Sequence, residues 1–310
     1  MCLIAILIWA FILRAPLVEL ESPWFDEVVT LKHLGAESFS DYMKLVRGDD
    51  EASQPLYMVL QYGWAKLFGP GYGAQRWFSI ILAQVSLILV FLIGNRLQGA
   101  TTGLLAALAL ASSAFHIEYS LEIRVYMLAF VWALLSMYSL FRLLEKQSVL
   151  WWSIHLGATL GLIWTHPFGV FLLPVEGVAW FLWGARTWKN QLAWGIAQSL
   201  VAATLILWLI NASQAGAQQA ASWLPSPTIG LNDTSLSVSL IGTGFIWIAS
   251  ADYHLGLTDF RNGLPMITYF GFSIGALVIS TLKFRKSINS SEGLDSPFTM
   301  FWLAAWFHLC

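Results

Sequence analysis

The chain has 310 residues, 57% of them hydrophobic and only 11% charged, with 17 Trp, 20 Phe and a mean hydropathy of +0.66. A water-soluble domain carries about 25% charged residues, so the composition excludes a soluble globular enzyme. It points to an all-α polytopic membrane protein, because helices satisfy every backbone polar group within lipid.

The formal net charge of −2 gives no sign of a nucleic-acid partner. Cys2 and Cys310 lie at opposite ends and imply neither a disulfide framework nor a metal site. The aromatic load suits belts at the two membrane interfaces.

Taken in order, apolar runs able to cross a bilayer fall at 1–18, 76–96, 99–116, 121–143, 149–166, 167–184, 192–211, 265–282 and 298 onward. That is about nine transmembrane helices. The first run has no charged leader and no small-residue cleavage site after it, which disfavours a signal peptide. The last run is too short for a crossing, so the chain is expected to be truncated at its C-terminus. No repeat or low-complexity tract interrupts the pattern, and residues 1–310 are expected to form a single transmembrane domain.

Four short connections carry the basic residues: Arg96; Arg142 and Lys146; Arg186 and Lys189; and Lys283, Arg285 and Lys286. The positive-inside rule makes these cytoplasmic. The tips at 116–122, 166–167 and 212–264 then face outward, as does the first loop, 19–75. A crossing at Leu56–Phe68 would invert every later loop, so that run is expected to lie as a helix in the outer interface. Leu236–Ala249 has the same reading. Most of the 18 acidic residues then fall on the outer side. A transporter places more of its key charges near the midplane. The pattern suits a surface enzyme whose substrate lies partly in lipid.

Three constellations carry chemistry. The first is Ser22-Pro23-Trp24-Phe25-Asp26-Glu27, where the chain leaves the first crossing. Ser22 as cap and Pro23 at the first helical position predict an interfacial helix of about 12 residues. Trp24, Val28 and Leu31 would lie on lipid. Asp26 and Glu27 are ~100° apart on such a helix, so one would face substrate and the other a partner. The plainer reading is a pair of solvated loop carboxylates.

The second constellation is the tip His116 to Tyr126, with Glu118, Glu122, Arg124 and Tyr126. Ser120 would cap the helix that follows, whose N-terminus suits phosphate. Arg124 adds a fork for phosphate oxygens. Its plainer role is to snorkel or to pair with Glu122 or Glu118.

The third is Ser53-Gln54-Pro55-Leu56-Tyr57, with Pro55 opening a helix and Gln54 and Tyr57 offering polar groups. Arg76 opens the next crossing as a phosphate contact or an anchor. His166 sits at another outer tip, where a lone His is more often structural. Glu176 lies inside a crossing, neutral or paired, with no assigned role.

In that order, the acidic pair, the Pro-Leu-Tyr helix start, Arg76, the Glu-x-Arg-x-Tyr tip, Thr165-His166-Pro167 and Trp223-Leu224-Pro225-Ser226-Pro227 resemble the C-superfamily glycosyltransferases. The resemblance is to the glycosyltransferase family 39 type, protein O-mannosyltransferase and lipid A aminoarabinose transferase among them, and in the bacterial branch to the RgtA/B/C/D-like domain. It implies an inverting transfer of a sugar from a polyprenyl-phosphate donor to an acceptor on the extracytoplasmic side of the plasma (inner) membrane. Asp26 would be the general base and Glu27 would orient it or bind acceptor. Arg124, and Arg76 as second choice, would stabilise the leaving phosphate. Tyr57 and Tyr126 would line the donor site. Relatives often carry a His or Lys where this chain reads Gln54. No cofactor or metal is implied. The alternatives are a flippase or transporter of lipid-linked sugar and a non-catalytic assembly subunit. No residue names the sugar or the acceptor.

Overall fold

The architecture comes from a computed structural model that describes residues 2–20, 22–48, 55–184 and 187–212. Among these residues every regular element is helical: α1 (Cys2–Arg14), α2 (Phe25–Leu34), α3 (Phe39–Gly48), α4 (Pro55–Phe68), α5 (Tyr72–Gln98), α6 (Ala100–Ala111), α7 (Ala114–Leu121), α8 (Tyr126–Glu145), α9 (Val149–Ile163), α10 (Leu172–Trp183) and α11 (Trp188–Ala212). Short 3₁₀ turns follow α1, at Ala15–Leu17, and precede α10, at Pro167–Phe171. The crossings expected at 265–282 and from 298, the loop 212–264 and Gln54 lie outside the described residues.

Among the described residues two helices are long and apolar enough to span a membrane, α5 with 27 residues and α8 with 20. At 1.5 Å per residue they reach about 40 and 30 Å, against a hydrocarbon core of about 30 Å. The run expected as one crossing at 99–116 is instead α6 and α7, bent by 61° at Ser112-Ser113, and counts as a third span if taken as one. The other described apolar helices, Cys2–Leu17, Val149–Ile163 and Phe168–Trp183, are shorter. The chain is an integral membrane protein by these helices and its composition.

α5 is the central post and packs along α1, α4, α6, α7 and α8; α8 in turn packs on α9 and α10. The turn from α5 to α6 needs a single residue, Gly99, at φ +89°, a conformation glycine adopts without strain. Beyond the turn the helices run so close that a Cβ on Gly103 would sit 2.5 Å from the Phe91 carbonyl oxygen. Outward-facing Ile4, Ile8, Ile12, Leu105 and Leu108 are exposed, as lipid contacts should be.

Several helix starts differ from the sequence expectation. α2 begins at Phe25, not after Ser22-Pro23, and runs for 10 residues. Its start is fixed by Glu27, whose Oε2 accepts the backbone N–H of Trp24 at 3.2 Å, and this side-chain cap outcompetes the Ser-Pro signal. Trp24 and Val28 are exposed as expected, but Leu31 packs into a core with Leu34, Tyr42, Tyr57, Val125 and Leu128. Ser120 does not cap α8. It lies inside α7, where its hydroxyl donates to Ile117 O and accepts from Arg14. α4 does start at Pro55, whose missing N–H costs nothing there.

The break between α6 and α7 is held by Arg14, which is fully buried. Its guanidinium donates to Ala10 O at 2.9 Å, to Ala111 O at 3.1 Å and to Ser120 Oγ at 3.0 Å. It also lies 2.7 Å from His116 Nδ1, whose Nε2 is 2.9 Å from Ser86 Oγ. Ala111 O is one of the carbonyls that the bend frees, and an arginine supplies the donor it lacks.

Gly103→Ala should lower the thermal midpoint in detergent or nanodiscs, with an overpacking cost of about 1–3 kcal/mol. Gly63→Ala, where nothing lies within 4 Å of the new methyl, should leave the midpoint unchanged or raise it.

Candidate functional site

The connection 122–125 between α7 and α8 is the centre of the site. It carries Glu122 and Arg124, and three elements grip it. Glu27 of α2, 1% exposed, accepts the Ile123 backbone N–H at Oε1 over 2.8 Å. Ser79 of α5 donates its hydroxyl to Glu122 O at 2.6 Å. Ile123 and Val125 are buried, Val125 in the α3–α4 core.

Glu27 has further work. Its Oε2 accepts from Arg76 Nη2 at 3.1 Å, a pair in which both partners are nearly inaccessible. Arg76 Nη1 also donates to Val18 O at 2.8 Å. A buried carboxylate is tolerable only when paired and hydrogen-bonded, and Glu27 gathers a guanidinium and two backbone amides. So Glu27 and Arg76 act as a clamp joining the end of the first helix, α2, α5 and the tip.

Asp26, the next residue, points elsewhere on the same tip. Its Oδ2 lies 3.6 Å from Arg124 Nη2, and both side chains keep some access, 27% and 13%. The helical offset between adjacent residues therefore separates a buried anchor from an accessible acid. Arg124 also hydrogen-bonds the Tyr126 hydroxyl.

Around this pair the other expected residues gather. Tyr57 of α4 is fully buried, yet its hydroxyl has no hydrogen-bond partner among the described residues. Burial pushes the phenol well above its usual range, and Arg124 pulls the other way. The Tyr126 ring stands edge-on to Tyr119 at 5.0 Å and 6.2 Å from His166, between centroids. His166 is held below the usual imidazole range by burial and then by the Arg124 charge. Its Nδ1 also caps the following turn through Phe168 N at 3.2 Å. Glu122 is raised to about 7, first by burial and next by Glu27 and Glu118.

The structure thus brings together Asp26, Glu27, Arg76, Tyr57, Glu122, Arg124, Tyr126 and His166. Gln54 lies outside the described residues. Among the described residues no three or more His, Cys, Asp or Glu side chains are disposed to hold a metal ion. Glu176 is apart from this site, inside the bundle. It accepts Ser136 Oγ at 2.6 Å and lies 3.8 Å from His155, which also contacts Ser139 and Gln198. Arg14, Ser79, His155 and Gln198 were not legible as site or bundle ligands. For Arg14 the signal was a lone charge closing an apolar run, and for Ser79 there was none.

Residues 52–210 match the family model described as Dolichyl-phosphate-mannose-protein mannosyltransferase. The chain belongs to this family. Membership makes it a membrane glycosyltransferase of the C superfamily, and the family implies a lipid-linked sugar donor. No curated protein matches the chain. The match takes in Tyr57, Arg76, Glu122, Arg124, Tyr126 and His166 but begins after Asp26 and Glu27. The two acids are tied to it by geometry, through Arg124, Arg76 and Ile123.

Arg76→Met should destabilise the protein by about 3–5 kcal/mol, because it leaves the Glu27 carboxylate buried without its cation. The double variant Glu27→Met/Arg76→Met should recover part of that loss. Thermal melts of the three variants give the coupling, and additive losses would remove the clamp.

Proposed function

We propose that this glycosyltransferase moves a hexosyl or pentosyl group from a polyprenyl-phosphate donor to an acceptor hydroxyl, with inversion, on the extracytoplasmic face of the inner membrane. About nine crossings carry the site, which opens at the outer interface. The observation that supports it most is the accessible Asp26–Arg124 pair at a tip pinned by Glu27, within a chain of this family.

Inverting displacement places the base and the leaving-group cation on opposite sides of the anomeric carbon, with room between them for the sugar. Carboxyl groups in inverting glycosidases stand about 6.5–9.5 Å apart for a comparable reason. At 3.6 Å, Asp26 and Arg124 are too close to admit a sugar. The donor phosphate therefore replaces Asp26 as the partner of Arg124. That exchange frees the carboxylate as general base and commits the guanidinium to the developing charge on phosphate.

Asp26 takes the acceptor proton as the hydroxyl attacks. Tyr57 and Tyr126 line the donor phosphate, and the Tyr57 hydroxyl is a buried donor without an acceptor until the donor arrives. Glu27 and Arg76 position the tip. His166 closes the side of the site beyond Tyr126.

The alternative of a flippase draws on the polar group in the bundle, Glu176 with His155. Both are fully buried and tied to Ser136, Ser139 and Gln198, which suits a packing contact better than a transport path.

Asp26→Asn should cut transfer of labelled sugar from a polyprenyl-phosphate donor by about 10²–10⁴-fold while donor binding is retained or strengthened, since Arg124 no longer has to leave a carboxylate, and the thermal midpoint stays near wild type. Wild-type transfer by this variant would remove Asp26 from the chemistry. Flipping of donor by a preparation that transfers nothing would favour the alternative.

A further inference from the structure

The donor reading meets an electrostatic difficulty at this tip. Four carboxyl groups converge there, Asp26, Glu27, Glu118 and Glu122, and two guanidinium groups, Arg76 and Arg124. Arg76 is committed to Glu27. Arg124 leaves Asp26 for the phosphate, so the freed carboxylate keeps its charge beside the donor. A donor phosphodiester brings another negative charge into a half-buried site where charges are poorly screened.

Glu122 is the group placed to resolve this. It lies outside the helices, in the connection that Glu27 and Ser79 hold by its backbone, so its position is fixed independently of its side chain. Its Oε2 is buried without a hydrogen-bond partner among the described residues. A buried, unpartnered carboxylate oxygen is costly, whereas a carboxylic acid there presents a donor to whatever enters.

We propose that Glu122 meets the lipid-linked donor as the neutral acid, hydrogen-bonds a phosphate oxygen and passes its proton to the departing phosphate. This rests on the donor reading above and adds to it a general acid. The step balances. The acceptor O–H bond breaks and its proton goes to Asp26. The new glycosidic bond forms as the bond from the anomeric carbon to phosphate oxygen breaks, its electron pair leaving with the phosphate. The Glu122 proton goes to that phosphate, so the product departs as a monoanion. Asp26 then releases a proton to solvent and Glu122 takes one up.

The groups facing Glu122 support this. Glu27 and Asp26 from α2 and Glu118 from α7 all favour its protonated form, while Arg124 opposes. Tyr119, Tyr126 and Tyr57 also feel its charge. Burial comes first among the causes, and together they place the carboxyl at about 7. Of the other facing groups outside the spans, the phenol of Tyr57 is pushed upward and the imidazole of nearby His166 downward. The phenol thus moves to the alkaline side, away from neutrality, and the imidazole to the acid side.

The test uses farnesyl methyl phosphate, a sugar-free diester whose single charge is constant between about pH 6 and 8.5, bound to the protein in nanodiscs. Wild type should bind roughly tenfold more weakly for each pH unit above about 7, as the protonated form is depleted. Glu122→Gln, which keeps a neutral donor, should bind with little pH dependence across the range and with at most a few-fold loss at its acid end. The same variant should lose at least tenfold in transfer rate at every pH, since an amide cannot hand over a proton. Wild-type binding that is flat with pH overturns the inference and leaves the glycosyltransferase reading intact. Binding that is flat with pH but restored or strengthened by Mg²⁺ also overturns it, in favour of a cation bridging carboxylate and phosphate. Failure of both proteins to bind the diester at any pH removes the donor reading itself. The wild-type profile needs no variant, so misfolding of Glu122→Gln would not shield the proposal.

Discussion

The tip between α7 and α8 owes its shape to one buried carboxylate. Glu27 holds the Ile123 amide, the Arg76 guanidinium and the start of its own helix at once. Those three contacts come from segments far apart in the chain, and Glu27 joins them. Ionic groups buried this deeply add little net stability over an apolar replacement, but they are strongly directional. A hydrophobic contact would tolerate the tip sliding by a residue, whereas a carboxylate shared between a fork and an amide does not. The accessible pair, Asp26 and Arg124, inherits its alignment from that constraint.

The division of labour between adjacent acids follows from helix geometry. Successive side chains diverge by about 100°, so a single Asp-Glu dipeptide at a helix start can supply an anchor on one side and a reactive group on the other. The sequence already showed that the two could not face one point. Which acid would be buried was not legible, because that depends on Arg76, 49 residues away.

Other parts were legible to different depths. The sequence reading grouped Tyr57, Glu122, Arg124, Tyr126 and His166 because the basic residues assign their loops to one side of the membrane. Helix starts were read less well. Ser22-Pro23 and Ser120 carry the right residue types for caps, but a Glu27 side chain and an Arg14 contact decide those positions, and both come from tertiary structure. The 61° bend in the run expected at 99–116 hid for a similar reason. Hydropathy averages over a window and cannot register a carbonyl released at Ala111 and taken up by a distant arginine. Ser79 is invisible in sequence because a serine in an apolar helix usually bonds its own backbone.

The Arg14 contacts also bear on how the protein is made. Its acceptors at Ala111 and Ser120 lie 97 and 106 residues further along the chain. α1 therefore leaves the ribosome well before these long-range hydrogen-bond acceptors of its guanidinium exist. An arginine at the end of an apolar helix can keep its head group at the interface by extending its side chain, and α1 can wait there. The acceptors at the bend exist only once α6 and α7 have been made. The buried place of Arg14 thus depends on a helix break that lies about a hundred residues further along the chain than α1 itself.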